Sequence, residues 1–100
     1  MNVVIKIEVS QRGQHDLRQI YFQGAEDHGI DQADRYRDQM LEIFRLIAEF
    51  PFAGVPVDDM SGETRSYLFK SHRIVYRIRP GKLPLILRVL HARQLPPDAL

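Results

Sequence analysis

The sequence predicts an α+β fold in which an antiparallel helical hairpin packs on one face of a small, mainly antiparallel sheet. Apolar residues recur at helical spacing only between about residues 11 and 50, whereas a period of two occupies the N-terminal end and the second half of the chain. The resulting order, β-α-α-β-β-β, keeps helices and strands apart, which is typical of this fold class. With 100 residues, 44% of them hydrophobic, the chain can bury a core without disulfides. We therefore expect one domain over residues 1–100, with its core at about 3–93 and a short tail at 94–100.

The first two elements are a strand and a helix, separated by a capping serine. The strand is indicated by apolar residues at alternate positions, namely Val3, Ile5, Ile7 and Val9. Ser10 follows with a hydroxyl that suits a helix N-cap. Helical spacing continues through Leu17, Ile20, Tyr21 and Ala25. His28 and Gly29 predict the end of this helix, since glycine is the usual residue at a helix C-terminus.

The second helix is predicted to begin at Asp31, whose carboxylate suits both an N-cap and the helix dipole. Its apolar stripe comprises Ala33, Tyr36, Met40, Ile43, Phe44 and Ile47. Phe50 and Pro51 end the helix, because the residue before a proline disfavours the helical conformation. A link of about two residues between the helices predicts an antiparallel hairpin.

Three strands are predicted after a long loop. Residues 51–64 contain two prolines, two glycines and a pair of aspartates, which is typical of a loop. Alternating apolar residues then predict strands over 65–70, 72–79 and 85–93, and Pro80 and Gly81 mark the last turn.

The pairing of the last two strands decides which side chains face the helices. With a loop over 80–83, the opposed residues are Ile78 with Leu85, Tyr76 with Leu87, and Ile74 with Val89. The outer face of the sheet then carries Arg73, Val75, Arg77, Ile86, Arg88 and Leu90. A slip by one residue would bury arginines against the helices, so we favour this register. A face that is cationic and apolar at once indicates a binding surface.

The net charge of +1 conceals two unlike halves. Residues 1–50 hold six basic and nine acidic side chains, whereas residues 51–100 hold eight basic and four acidic ones. All eight basic residues of the second half lie within 65–93, a stretch without any acid. A segment of this kind needs an acidic counterpart, in the fold or in a partner.

Composition also argues against several classes of function. Without cysteine the chain can form no disulfide, thiolate nucleophile or zinc finger, and we expect a reducing compartment, the cytoplasm. Its apolar runs are too short to cross a bilayer, and we expect no signal peptide. The four histidines lack metal-ligand spacing, so we expect neither a metal site nor a cofactor.

Four short segments carry a resemblance to a known family. Pro51-x-x-Gly54 follows the second helix, and Gly62-x-x-Arg65 opens the second strand. The third strand reads Arg-Ile-Val-Tyr over 73–76, and the last ends in Arg-Val-Leu-His-Ala-Arg over 88–93. In this order the segments resemble the ParE/RelE superfamily of toxins from bacterial toxin–antitoxin systems. The resemblance covers almost the whole chain, and the last two segments resemble the ParE branch.

The resemblance implies the toxin component of a type II toxin–antitoxin system, of the kind associated with plasmid stabilization. It implies a cognate acidic antitoxin, ParD-like, that neutralises the toxin in a hetero-oligomer. ParE-like relatives inhibit DNA gyrase without chemistry of their own, so the leading expectation is a non-enzymatic inhibitor. We expect four side chains to bind the antitoxin or the target, namely Arg73, Arg77, Arg88 and Arg93.

A ribonuclease is the first alternative. RelE-like relatives are ribosome-dependent mRNA endonucleases, and here the candidate catalytic residues would be Arg65, Arg73, His91 and Arg93. Of these, Arg73 and Arg93 lie where the resemblance places two arginines of RelE. Arginines would stabilise the charge on the phosphate, and an imidazole suits acid–base work near neutral pH. Residues 94–100 contain no tyrosine of the kind that RelE-like enzymes place near the scissile phosphate, which disfavours this alternative.

A non-catalytic nucleic-acid-binding module is the second alternative. Sheet-based RNA binders present aromatic rings on an exposed face, where bases stack on them. The favoured register turns Tyr67, Phe69 and Tyr76 toward the helices, which disfavours this function as well.

Overall fold

The computed structural model of the protein describes residues 7–58 and 62–94. In chain order the helices and strands are β1 (Glu8–Val9), α1 (Gln11–His28), α2 (Ile30–Glu49), β2 (Val55–Pro56), β3 (Glu63–Phe69), β4 (His72–Ile78) and β5 (Leu85–His91). A single 3₁₀ turn, Pro51–Ala53, links α2 to β2. No helix within the described ranges is long and apolar enough to cross a membrane.

The five strands form one mixed sheet in the order β1-β5-β4-β3-β2. The pairing of β1 with β5 is parallel, and the other three pairings are antiparallel. The predicted α+β class, with a helical hairpin on a mainly antiparallel sheet, is confirmed. The prediction of an unbroken loop over 51–64 is wrong, because Val55 and Pro56 pair with β3. A strand of two residues, one of them a proline, is too short to show the alternation of apolar and polar residues from which strands are predicted.

The helical hairpin forms as predicted, except at its link. Ser10 caps α1, and its side-chain oxygen accepts a hydrogen bond from the Gly13 amide at 3.0 Å. Gly29, at φ 91°, is both the C-cap of α1 and the N-cap of α2, so the link is one residue rather than two. Asp31 is therefore not the cap. It lies in the first turn of α2, where its charge still suits the helix dipole.

The core lies between α2 and the middle of the sheet. The predicted stripe of α2 is confirmed, with Ala33, Met40, Phe44 and Ile47 buried and Tyr36 and Ile43 partly so. The sheet contributes Ile74, Tyr76, Ile86 and Val89, and α1 adds Leu17 and Ile20. In the first strand only Ile7 and Val9 can be compared with the prediction, because Val3 and Ile5 lie outside the described residues.

A bulge in β5 changes the predicted register. Ile74 faces Val89 as predicted, but Tyr76 faces Ile86 rather than Leu87. The pairing shifts between Val75 and Tyr76, so that Leu87 has no partner of its own in β4. The bulge returns Ile86 to the helix-facing side, where it is fully buried, and so the prediction that Ile86 lies on the outer face is wrong. The strand also ends at His91 instead of residue 93.

Side chains from the start of α1 cover the edge of β5. Because β1 pairs only with Leu85 and Ile86, the backbone of β5 beyond Ile86 has no neighbouring strand on this side within residues 7–58 and 62–94. The Ser10 hydroxyl donates to the Leu87 carbonyl at 2.7 Å, and a carboxylate oxygen of Asp16 accepts from the Val89 amide at 2.9 Å. The same carboxylate binds the Arg88 guanidinium through bonds of 2.8 and 3.1 Å. Side chains thus satisfy an edge that would otherwise invite another strand.

Replacing Asp16 by alanine should lower the free energy of unfolding by about 3 kcal/mol, because it removes the carboxylate that accepts from both a largely buried guanidinium and a backbone amide. Both side chains of this ion pair are at least 85% buried, at 15% and 12% exposure. Urea unfolding followed by circular dichroism measures the loss. Asp38→Ala is the matched control, since Asp38 is 68% exposed and should change stability little. Equal stability of the two variants would contradict a structural role for Asp16.

Candidate partner-binding surface

The hydroxyl of Tyr76 holds the segment that follows α2. Tyr76 is fully buried in β4, and its hydroxyl donates to the Pro51 carbonyl at 2.7 Å while accepting from the Gly54 amide at 2.9 Å. Burial raises the pKa of Tyr76, which keeps the hydroxyl protonated and able to donate. The Pro51-x-x-Gly54 motif therefore has a physical explanation, because both its ends bond one buried oxygen.

Gly54 is required at this position by close approach. A Cβ atom there would lie 2.6 Å from the Tyr76 hydroxyl and 2.7 Å from the Ser66 carbonyl oxygen. Either distance is well inside van der Waals contact, so any side chain would push the segment off the sheet.

Arg65 ties down the same segment from β3. Its guanidinium donates to the Gly54 carbonyl at 2.8 Å and lies 4.9 Å from the centre of the Phe52 ring. It also lies 3.7 Å from the carboxylate of Glu63. These contacts place Arg65 in the structure of the loop, and they leave its charge largely occupied.

The outer face of the sheet presents Arg73 and Arg77. They alternate along β4 with the buried Ile74 and Tyr76, so they leave the sheet on the side away from the core. Arg73 reaches Ser66 of β3 at 3.4 Å, a weak contact. The Nε atoms of both arginines are buried without a hydrogen-bond partner among the described residues, as are those of Arg45 and Arg65. Val75 lies between them and is fully buried.

Arg88 differs from these two arginines. It is the cross-strand neighbour of Val75, as the predicted outer face requires. Its guanidinium, however, turns to the sheet edge and binds Asp16 of α1. The acidic counterpart that the sequence demands for the basic stretch is thus found within the fold for Arg88. Arg79 likewise lies 3.3 Å from Glu8.

His91 and Arg93 lie at the far end of β5. His91 faces His72 across the strands, and its Nδ1 accepts from the Arg93 amide at 3.2 Å. Arg93 is exposed in the turn that follows, so its side chain is accessible to a partner.

The four residues considered for a ribonuclease do not converge. Arg65 is the neighbour of Tyr76, on the helix side of the sheet, whereas Arg73 is on the other face. His91 pairs with His72, whereas Arg65 pairs with Tyr76. His72 and Tyr76 are four residues apart on β4, so His91 and Arg65 are separated by roughly 13 Å along the strand direction. Acid–base catalysis at one phosphate needs its groups within hydrogen-bond reach of that phosphate, and this set does not meet the requirement.

The aromatic rings of the sheet face the helices, as the sequence predicts. Tyr76 is buried, and Tyr67 and Phe69 pack partly buried against the core. None of these three rings lies on the arginine-bearing face, where stacking of bases would be needed.

A groove that the sequence did not predict lies between the helical hairpin, the start of β4 and the end of β5. Its volume is about 860 Å³, and its lining includes Tyr36, Met40, His72, Val89 and His91. The Tyr36 hydroxyl lies 2.7 Å from Nδ1 of His72. No local pattern joins residues so far apart in sequence. Among the described residues, no three His, Asp or Glu side chains come together as a potential metal site.

The comparisons with known proteins agree on the family. A family model described as the ParE toxin of type II toxin-antitoxin system, parDE, matches residues 7–96. The chain belongs to the ParE toxin family. This ParE toxin is 31% identical over 83 residues to Toxin ParE1 of Caulobacter vibrioides, a match that covers 83% of this chain and 84% of that protein. Its fold is similar to a chain of the chromosomal ParDE TA system from P. aeruginosa, with a TM-score of 0.73 at 18% identity over 87% of this chain and 95% of that one.

Family membership confirms the leading resemblance. The protein is the toxin component of a type II toxin–antitoxin system, and its partner is an antitoxin.

Replacing Tyr76 by phenylalanine should lower the free energy of unfolding by about 2 kcal/mol, because the Pro51 carbonyl and the Gly54 amide lose their common partner in a buried place. Urea unfolding measures this loss. Tyr67→Phe is the matched control on the neighbouring strand, since no hydrogen bond of the Tyr67 hydroxyl is recorded within the described residues. A Tyr76→Phe protein as stable as the Tyr67→Phe protein would contradict the account of the motif.

Proposed function

We propose that this ParE toxin inhibits DNA gyrase and that an acidic segment of its antitoxin binds the outer face of the sheet at Arg73 and Arg77. One observation carries the proposal: among the four arginines whose buried Nε atoms lack partners in the described part of the chain, Arg45 and Arg65 have a carboxylate within salt-bridge distance, whereas Arg73 and Arg77 do not. A guanidinium is costly to bury without an acceptor, and a carboxylate is its best match in charge and geometry.

Charge complementarity favours an acidic partner over an apolar one. Arg88 and Arg79 have internal carboxylates, at 2.8 and 3.3 Å, whereas no carboxylate is recorded within salt-bridge distance of Arg73 or Arg77 in the described part of the chain. Val75 between them, and the exposed Leu68 beside them on β3, add apolar surface. An antitoxin segment with acidic and apolar side chains would cover both features.

The proposal also includes Arg93 and Arg88, the other two arginines that the sequence predicts to bind a partner, but their roles differ. Arg93 is exposed in the turn after β5, so its side chain can contact the antitoxin at the rim of the proposed interface. Arg88 contributes by its position next to Val75, while its charge is shared with Asp16. Loss of Arg88 should therefore affect folding more than binding.

Gyrase inhibition is favoured over mRNA cleavage because the ribonuclease set is divided between two faces and two ends of the sheet. An inhibitor that acts by binding needs no convergent acid and base. We further propose that the chain acts as a single toxin domain in the cytoplasm, where its target and its antitoxin would both be found.

Arg73→Ala and Arg77→Ala should each weaken antitoxin binding by about tenfold, since each removes a charge that the partner's carboxylates would meet. Isothermal titration of the purified toxin with its antitoxin gives the affinity. Arg35→Ala, on the exposed surface of α2, is the matched control and should bind as the unmodified toxin does. Raising the salt concentration should weaken antitoxin binding more for the unmodified toxin than for a variant that carries both Arg73→Ala and Arg77→Ala. Unchanged affinity in both single variants would place the antitoxin elsewhere.

Induction of the toxin in a bacterium without the antitoxin should trigger a DNA-damage response and filamentation. Purified toxin should also inhibit supercoiling by gyrase in vitro. Rapid arrest of translation with codon-linked mRNA cuts would instead indicate the ribonuclease and overturn the proposed target, while leaving the antitoxin surface to be judged by its own titration.

A further inference from the structure

The outer edge of β2 presents few hydrogen-bonding groups to a further strand. In an antiparallel pair, successive residues direct their N–H and C=O groups alternately toward the partner strand and away from it. Val57 donates to the Thr64 carbonyl at 2.9 Å, which turns its polar groups toward β3. Val55, two residues earlier, is paired with Ser66 and faces β3 in the same way. Pro56 between them therefore faces away from the sheet, and because proline has no N–H it offers the edge a carbonyl alone.

Gly54, two residues before Pro56, does not supply the missing donor. Its amide donates to the Tyr76 hydroxyl at 2.9 Å, and its carbonyl accepts from the Arg65 guanidinium at 2.8 Å. A strand added at this position would have to displace both side chains, and the Tyr76 hydroxyl would lose a partner in a buried place. The two neighbouring positions on this edge are thus closed, one by a missing donor and the other by bonds already made.

The side chains at the same edge would otherwise favour association. Phe50, Phe52 and Val55 are 58, 66 and 68% exposed, although all three are large and apolar. An exposed apolar edge strand is a template for pairing with another chain, and a proline is one of the devices that prevent such pairing. The apolar side chains therefore promote contact at this edge, and the backbone opposes it.

We propose that Pro56 closes the β2 edge to strand addition, both by a second copy of the toxin and by an extended segment of the antitoxin. Two copies related by a twofold axis would pair antiparallel at residue 56, where the N–H of each copy would donate to the carbonyl of the other. A proline at this position removes both bonds at once, because each of them needs an N–H from residue 56.

The statement about the antitoxin rests on the proposed function. A segment that binds Arg73 and Arg77 then lies across the outer face of the sheet and does not extend the sheet at β2. The statement about a second copy concerns the toxin alone, so it holds or fails whatever the antitoxin surface is.

Pro56→Val and Pro56→Ala test the closed edge, because both variants restore the N–H. In analytical ultracentrifugation of the toxin without antitoxin, the self-association constant of both variants should exceed that of the unmodified toxin by about tenfold, since two hydrogen bonds form in each pair. Valine also adds apolar surface and alanine does not, so association of both variants assigns the effect to the restored donor. Pro80→Val is the matched control, because Pro80 is exposed in the loop between β4 and β5 and its replacement should not promote association.

Hydrogen exchange at residue 56 shows whether the association uses this edge. The new amide should exchange more slowly as the concentration of either variant rises, because the second copy accepts its hydrogen bond. The inference is overturned if both variants sediment as the unmodified toxin does, or if they associate while the exchange at residue 56 stays the same.

NMR of the unmodified, isotope-labelled toxin bound to its antitoxin tests the remaining part without any variant. Antitoxin backbone protons should lie close to the outer face at Arg73 and Arg77 and should show no cross-strand contact with Pro56. A cross-strand contact with Pro56 would overturn the closed edge. Binding elsewhere, with neither contact, would contradict the proposed antitoxin surface and leave the closed edge supported.

Discussion

The phenolic oxygen of Tyr76 joins three parts of the chain that would otherwise be independent. It bonds the carbonyl where α2 has just ended and the amide where β2 is about to begin, and its ring lies in the core beneath both. A two-residue strand such as β2 has too few ladder bonds to hold its own register. The hydroxyl supplies the missing constraint, and Arg65 adds a second one at the Gly54 carbonyl. This buried oxygen therefore sets the direction in which the chain leaves the helical hairpin. It thereby also sets the position of β2, the strand at one edge of the sheet.

The cations of the second half of the chain serve two different purposes. Arg88, Arg79 and Arg65 are bound to carboxylates or carbonyls of the protein itself, and they hold the edge and the loop of the sheet in place. Arg73 and Arg77 have no such carboxylates among the described residues, and they border the buried Val75 on the open face. Arg88, Arg79 and Arg65 thus stabilise the fold, whereas Arg73 and Arg77 are the residues proposed to bind an acidic antitoxin. The acidic helical half neutralises only part of the basic half.

The two ends of the sheet also differ in chemistry. One end carries the Tyr76 hydroxyl and Arg65, both of which bond the segment between α2 and β2. The other end carries His72, His91 and Tyr36 beside the groove, where the Tyr36 hydroxyl lies 2.7 Å from Nδ1 of His72.

The sequence by itself determined the fold class, the two helices, the core stripe of α2 and the family, because periodicity, capping residues and ordered motifs are local patterns that survive without knowledge of contacts. It also predicted the pairing of Ile74 with Val89 and the inward rings. Only the tertiary structure decided the bulge at Leu87, the strand at Val55, the role of Gly29 as a double cap, and the separation of Arg88 from Arg73 and Arg77. Apart from the cap at Gly29, these features involve contacts between residues far apart in sequence, such as Ser10 with Leu87 at a separation of 77 and Asp16 with Arg88 at 72. The sequence pattern around a polar side chain does not identify the distant atom with which it forms a hydrogen bond. Only the tertiary structure shows that partner.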